Sequence, residues 1–347
     1  MRAKLSIYSF RAMIAVAVSA LALALVSVPA EAASASPNVV SPLVSSTSSL
    51  SAADYWTPAR MAAAIPADAL VPAGVGKQFE ATPLTPSGTP TTVEPTGGSL
   101  GAGPNSLLAA VGVARPYTNF PDRLNGKVFF SKGGLSYVCS GTVVNGTNKD
   151  LVDTAGHCVS DGAGHFHSNW IFVPAYSSAA TGCTTTSGCY PYGRWSARLL
   201  TTRTEWHTYA NLKQDYGYAV LNTLGGQHIV NRLGGQGSTF NQSRTQTYRA
   251  YGYPQAAPFN GYDQKVCVSG WLANDNPSTR SGPLTIKINC NLTGGSSGGG
   301  WLIRLAASGL GYVNSHNSYG YTGQPGFMYG PYYGSEALSL FNSAKVL

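Results

Sequence analysis

Three short segments hold side chains whose types and spacing suit covalent chemistry. The first is Thr154-Ala155-Gly156-His157-Cys158, placed directly after Leu151-Val152-Asp153. A histidine that moves protons needs a fixed ring, because small misplacements cost rate. Cys139 lies 19 residues before Cys158. A Cys139–Cys158 bridge would close a loop worth up to ~3 kcal/mol in the chain-entropy model and would pin the backbone beside His157. The second segment is Thr293-Gly294-Gly295-Ser296-Ser297-Gly298-Gly299-Gly300-Trp301. A flexible linker has this composition, but it explains neither Cys290 just before nor Trp301-Leu302-Ile303 just after. A tight glycine-rich turn between ordered segments can aim backbone N–H groups at one point, and such donors stabilise an oxyanion by ~3–4 kcal/mol in acyl transfer. A serine at its tip is the candidate nucleophile. The third segment is Gln214-Asp215-Tyr216-Gly217-Tyr218-Ala219-Val220-Leu221. An acid leading into an apolar strand is commonly a strand boundary. Here it supplies the carboxylate that His157 and Ser297 require to hold the imidazole tautomer and stabilise imidazolium. Asp150, Asp153 and Asp161 stand too close to His157 in sequence to serve as readily.

The elements that would position these groups read as β. Lys127–Ser131, Ser136–Val144, Leu151–Thr154, Trp170–Pro174, Tyr216–Leu221, Thr247–Tyr253, Leu284–Asn289 and Gly311–Ser315 are short β-prone runs separated by Gly, Asn and Ser. Turn signals at such close intervals predict a sandwich or barrel. The clear helix is terminal: Ser335 can cap Glu336–Val346, with Leu338, Phe341 and Ala344 spaced for one face. Residues 111–347 are long enough for two small barrels.

The chain of 347 residues is 10% charged and 43% hydrophobic, with 41 glycines and 21 prolines. Soluble domains average about 25% charged residues, so a highly charged coiled coil is excluded, as is a uniformly disordered polyelectrolyte. The net charge of +8 reflects few acids rather than many bases, 22 basic against 14 acidic residues. No Lys/Arg run tracks a phosphate backbone, which argues against nucleic acid as a partner.

Arg2, Lys4 and Arg11 precede an apolar or small stretch from Ala12 to Val28, followed by Ala30-Glu31-Ala32. This is the pattern of a cleaved secretory signal, residues 1–32. No later segment is apolar and long enough to span a bilayer, so stable membrane association is not expected. Export makes disulfides of the six cysteines. Residues 33–110 are rich in Ser, Thr, Pro and Ala, lack cysteine, and carry Arg60 and Lys77 against Asp54, Asp68, Glu80 and Glu94. They read as a linker or a propeptide, acidic where the region from Val111 onward is basic. Within them Thr57 can cap a short helix, with Pro58 at its first position and Ala59–Ala64 following.

Together the three segments resemble a chymotrypsin-fold (trypsin-like) serine endopeptidase, in the order His, Asp, Ser, and are most similar to the secreted bacterial branch that includes glutamyl endopeptidases. Thr154–Cys158 matches the histidine motif, Asp215–Leu221 the aspartate strand and Gly295-Ser296-Ser297-Gly298-Gly299 the serine motif. The resemblance covers roughly residues 120–347. It implies an all-β fold of two packed six-stranded Greek-key β-barrels with a C-terminal helix, and a peptidase domain over residues 111–347. It implies Ser297 as nucleophile, His157 as general acid/base, Asp215 as its orienting partner, and the amides of Gly295 and Ser297 as oxyanion hole. It also places Tyr312-Val313-Asn314-Ser315 on the strand backing the specificity pocket, with Ser315 as the serine that contacts the aspartate. The sequence departs from the family twice. Ser296 stands where an aspartate precedes the nucleophile, which removes activation by a new N-terminal ammonium. Gly300 stands where proline is usual, which is expected to loosen the nucleophile loop.

Of the remaining cysteines, Cys183 and Cys189 bracket a short loop and Cys267 with Cys290 would brace the approach to the serine; other connectivities fit the same residues. His165-Phe166-His167 has the spacing of two ligands on a strand but sits among Gly, Asp and Ser, so no metal is expected, and no cofactor. The pocket candidates are Asn291, Thr293, Ser315 and His316. No carboxylate lies in Asn291–Gly294 or Ser315–Ser318, which disfavours a taste for Arg or Lys, while His316 could receive an acidic side chain. The expectation is a secreted, extracellular, monomeric endopeptidase acting on protein or peptide substrates. The competing readings are a secreted binding protein that keeps the barrels without activity, and an esterase. The esterase lacks the strand–elbow–helix context of an α/β hydrolase.

Overall fold

Strand β6 (Asn125–Lys132) shows how the chain builds its cores. Successive side chains of a strand point to opposite faces, and here both faces are covered: Val128 and Phe130 enter one apolar cluster, Phe129 another. The computed structural model describes residues 38–42, 52–68, 70–71, 82–86, 88–97, 107–115, 117–178 and 189–347. The expected signal segment and Cys183 lie outside them.

Strand β6 pairs with β7 (Leu135–Val144), β7 with β8 (Leu151–Ala155), β8 with β11 (Tyr216–Leu221), β11 with β10 (Trp195–Arg203), β10 with β9 (Ser168–Pro174), and β9 returns to β6. These antiparallel pairings close a six-stranded barrel, filled by Val128, Phe130, Val143, Val152, Phe172, Trp195, Leu200 and Ala219. The ring is closed, yet β7 and β10 run past their shorter partners, because β8 covers only Thr142–Val144 of β7 and β9 only Trp195 and Ser196 of β10, so each keeps a stretch of edge free of ring partners. A second sheet runs β19 (Phe327–Gly330), β15 (Thr285–Asn289), β14 (Lys265–Asp275), β13 (Thr247–Gly252), β16 (Gly300–Ile303), β17 (Tyr312–His316) and β12 (Gly237–Phe240). Tyr248, Ile286, Ile288, Trp301 and Met328, on four of these strands, pack together as its core. The all-β, chymotrypsin-like architecture is the one the resemblance implied, except that the second sheet carries additional strands and its ends do not pair with each other among the described residues.

The seam between the two layers holds Tyr216, Tyr218, Val220, Phe240, Tyr251, Leu302 and Val313 and is sealed by the helix Ser335–Ala344. The helix buries Ala337, Leu340, Phe341 and Ala344, the i, i+3, i+4, i+7 stripe of an amphipathic helix. Leu338, expected on that face, is only partly buried, and Gly334 rather than Ser335 occupies the N-cap. In contrast, the cap expected of Thr57 is made: its Oγ1 accepts from Arg60 N at 3.2 Å, at the start of the helix Pro58–Ala63.

The low-complexity region is woven into both sheets. Strand β1 (Asn38–Val40) adds to β10, β2 (Ile65–Pro66) to β7, β4 (Thr91–Val93) to β12 and β5 (Leu107–Gly112) to β14, while β3 (Leu70–Val71) pairs with β18 (Gly320–Tyr321). Such a segment has few apolar side chains with which to build a core of its own, but edge strands offer it a ready ladder of partners. Among its described residues the largest apolar anchor is Trp56, fully buried against Phe129, with Nε1 donating to Asn169 O at 2.6 Å.

Candidate active site

His157 sits in a single 3-10 turn (Gly156–Cys158) at the end of β8, and Asp215 sits at the start of β11. The two strands pair so that Tyr216 lies opposite Ala155, and this register brings the two functional residues together. Gly156 N donates to Asp215 O at 3.0 Å, His157 N donates to Asp215 Oδ1 at 2.7 Å, and His157 Nδ1 donates to Asp215 Oδ2 at 2.8 Å. With Nδ1 carrying the proton, Nε2 is left as the basic nitrogen. It is buried and has no hydrogen-bond partner among the described residues. A buried polar atom without a partner costs about 1–3 kcal/mol, so it asks for a functional explanation. His157 is also held from behind: its carbonyl accepts from His167 Nε2 at 3.0 Å, and the Trp206 ring stands edge-on at 5.9 Å.

The Cys139–Cys158 disulfide is present and ties β7 to the histidine turn. It also meets the serine loop, since Ser140 N donates to Ser297 O at 2.7 Å and Ser140 Oγ donates to Gly295 O at 2.9 Å. Within the loop the two adjacent serines differ. Ser296 Oγ donates to Thr293 O at 2.7 Å, whereas Ser297 Oγ makes no hydrogen bond among the described residues. The amides divide likewise. Those of Ser296, Gly298, Gly299 and Gly300 donate to Thr293 O, Asn317 O, Ser296 O and Thr142 Oγ1, while those of Gly295 and Ser297 donate to no described acceptor. Positive φ at Gly295 (93°) and Gly298 (81°) makes this geometry possible. Two free N–H groups flanking a free hydroxyl form a donor pair of the oxyanion-binding kind.

The Asp215 carboxylate has one further described donor, Ser318, whose Oγ donates to Oδ2 at 2.6 Å. The resemblance placed this contact on Ser315, but Ser315 Oγ donates to Pro331 O at 2.9 Å instead. The chain leaves β17 at His316, and Ser318, two residues beyond the strand, reaches the carboxylate.

No protein-family model and no curated protein matches the chain. Among solved structures, the protease Anisep from Arthrobacter nicotinovorans is 43% identical over 66% of this chain and 99% of its own, with a TM-score of 0.58. The thermostable serine protease AL20 from an extremophilic microorganism is 42% identical over 65% of this chain and 98% of its own, with a TM-score of 0.56. The chain belongs to the bacterial chymotrypsin-fold serine endopeptidases. A Glu endopeptidase in complex with MPD, 18% identical with a TM-score of 0.51 over 69% of this chain and 97% of its own, shares the fold.

In this serine endopeptidase a pocket opens beside Ser297, lined by Leu292, Thr293, Gly294, Tyr319, Phe327 and Met328. Of the sequence candidates only Thr293 lines it, with Oγ1 committed to Ala256 O at 2.6 Å. Asn291 turns away, its Oδ1 accepting from Ala110 N at 2.7 Å. His316 is fully buried behind the site: Nε2 donates to Asp215 O at 2.8 Å, and Nδ1 lies 2.8 Å from Tyr333 Oη and 3.3 Å from Asp153 Oδ1. This placement was missed because alternation along β17 and the turn after it cannot be counted without the register.

His165 and His167 point apart. His165 is exposed and pairs with Asp161, whereas His167 stacks on Phe130 at 4.2 Å. Cys139, His157 and Cys158 approach each other as ligands would, but disulfide sulfur is not the thiolate that binds metal. The Cys267–Cys290 disulfide is also present and joins β14 to the approach of the serine loop. Cys189 is disulfide-bonded, and its expected partner Cys183 lies outside the described residues. Gly300, expected to loosen the loop, is fixed: its amide donates to Thr142 Oγ1 at 3.1 Å, a bond proline could not make.

Proposed function

We propose that the protein is a secreted serine endopeptidase in which Ser297 attacks the scissile carbonyl, His157 Nε2 takes the serine proton and returns it to the leaving amine, and Asp215 holds the imidazole tautomer. The amides of Gly295 and Ser297 receive the developing oxyanion. The observation that carries this reading is the unequal treatment of the two imidazole nitrogens. Nδ1 is locked on a buried carboxylate at 2.8 Å, and Nε2 is buried without a partner. Resting enzymes commonly hold the serine–histidine contact long until substrate closes it. Secretion is supported by the basic, apolar and small-residue pattern of residues 1–32 together with the disulfides. Lacking an acid at Ser296, the chain has no salt-bridge route to activation, and Ser296 Oγ is used locally on Thr293 O.

Treatment with a fluorophosphonate tests the assignment. Mass spectrometry should find a single adduct on the peptide containing Ser297, lost in Ser297→Ala together with hydrolysis of casein. An adduct on Ser296, or hydrolysis that survives Ser297→Ala, would overturn it.

A further inference from the structure

Part of the low-complexity region crosses the cleft. Ala67 N donates to Val138 O at 3.0 Å, just past the point where β2 runs parallel to β7. On the far side β3 runs parallel to β18, with Leu70 opposite Gly320 and Val71 opposite Tyr321. Between these anchors Asp68 reaches into the pocket beside Ser297, and its Oδ1 fills the space that a Cβ on residue 294 would take. Glycine at 294 is what admits the carboxylate. Burial pushes the Asp68 carboxyl up, and the neighbouring His157 charge draws it back down.

The polarity of this crossing is informative. In acyl transfer the leaving amine belongs to the residue after the one in the pocket, and it must lie beside the histidine that protonates it. Here the residues before Asp68, namely Pro66 and Ala67, share a cavity with His157. Those after it lead away along Gly320 and Tyr321. The segment therefore runs against the productive direction and presents no peptide bond to Ser297 in an orientation that His157 could resolve.

We propose that residues 64–68 and 70–71 belong to an inhibitory strand seated in the active-site cleft in reverse, closing the intact chain and remaining a competitive ligand of the cleft once cut free. The proposal rests on the serine endopeptidase reading of Ser297 and His157. It implies that the strand is not removed by its own active site while seated, so the first cut comes from another molecule.

The test measures the rate of fluorophosphonate labelling in the full chain. Ala67→Pro deletes the N–H given to Val138 O, and Asp68→Ala empties the pocket. Each should label about tenfold faster than the parent, the factor expected from losing one hydrogen bond or the side chain that occupies the pocket. A synthetic peptide of residues 64–71 should slow the variants again, competitively with a peptide substrate, and be recovered uncut. Equal labelling of the parent and both variants would overturn the strand, as would cleavage of the added peptide after Asp68. The peptide experiment decides the matter should one variant fail to fold. Absence of labelling in every form, parent and variants alike, would instead overturn the reading of Ser297 on which the strand depends.

Discussion

Ser318 and Asp215 form the tightest polar contact beneath the histidine, Oγ to Oδ2 at 2.6 Å, on the same oxygen that receives His157 Nδ1 at 2.8 Å. The other oxygen takes His157 N–H at 2.7 Å. The carboxylate is thus fully buried with three donors aimed at its two oxygens, which fixes its orientation. Asp215→Asn keeps the shape of this group but offers Nδ1 an amide donor or a weaker acceptor. Turnover should fall by about 10⁴, the cost seen when the tautomer is lost in other triads. Steady-state kinetics on a chromogenic peptide checks this, and a loss of only a few-fold would mean that another acid serves His157.

Ser318→Ala should cost less. It removes one hydrogen bond to a charged group, worth about 1.5–3 kcal/mol, without altering the tautomer. We expect kcat to drop roughly tenfold to a hundredfold with KM little changed. Ser315→Ala, tested beside it, should leave kcat near the parent value, because Ser315 serves Pro331 O.

How much of this site could be read in the sequence differed by residue. The three motifs made His157, Asp215 and Ser297 candidates because the turn chemistry around each is local. Thr154–Cys158 and Gly294–Gly300 carry their constraint within a few residues. The Ser315 and His316 assignments depended on where β17 ends, and a slip of one residue exchanges the faces of a strand. Strands β10 and β14 were not anticipated: Trp195–Arg203 and Lys265–Asp275 mix polar and apolar residues with internal irregularities in register. The crossing by residues 64–68 was also illegible. A two-residue pairing such as Ile65–Pro66 on β7 is decided by the edge it meets, and a proline-bearing segment with little periodicity gives no sign of that edge.

The pocket predicts substrate preference. Leu292, Tyr319, Phe327 and Met328 supply apolar walls, and no lysine, arginine or histidine is among its described lining residues. His316, the one cation candidate, is spent on Asp215 O, Tyr333 and Asp153. Asp68 enters while keeping part of its surface exposed. A charged side chain buried here would lack a partner, a cost of several kcal/mol. Cleavage-site sequencing on a peptide library should therefore show Leu, Met or aromatic residues before the cut, with kcat/KM at least about 100-fold above Glu or Lys. Dominant cleavage after Glu would show that a cation reaches the pocket on substrate binding.

Lys127 gives a pH dependence to stability. Its ammonium is buried, donating to Gln255 Oε1 at 2.7 Å and Gly261 O at 3.0 Å, and burial lowers its pKa to about 7. The unfolded lysine titrates near ~10.4. Between these values the unfolded chain binds a proton that the folded chain does not, so stability rises with pH across that window and the full penalty applies below about 7. Unfolding free energies from urea titrations at pH 7, 8 and 9 should climb in the parent, by at most about 1.4 kcal/mol per pH unit from this group. In Lys127→Met the climb should flatten. An unchanged slope would mean that the cation is solvated in the folded state.

Gly300 tests whether the departure from the family's proline weakens the nucleophile loop. Its amide donates to Thr142 Oγ1 at 3.1 Å, and that hydroxyl in turn donates to Asn125 Oδ1 at 2.8 Å, so the bond links the serine loop to two strands of the first barrel. A Cβ at this position would come within 2.7 Å of the same hydroxyl. Restoring the family residue with Gly300→Pro therefore removes a donor and adds a steric conflict. We expect a loss of about 1–3 kcal/mol in stability, the cost of an unmet buried polar group. Activity should fall rather than rise, because the amides of Gly295 and Ser297 are positioned by the same turn. Thr142→Val should reproduce most of the stability loss without the steric part. If Gly300→Pro instead raises both the melting temperature and kcat, the glycine is the looseness that the sequence suggested, and the Thr142 bond is incidental.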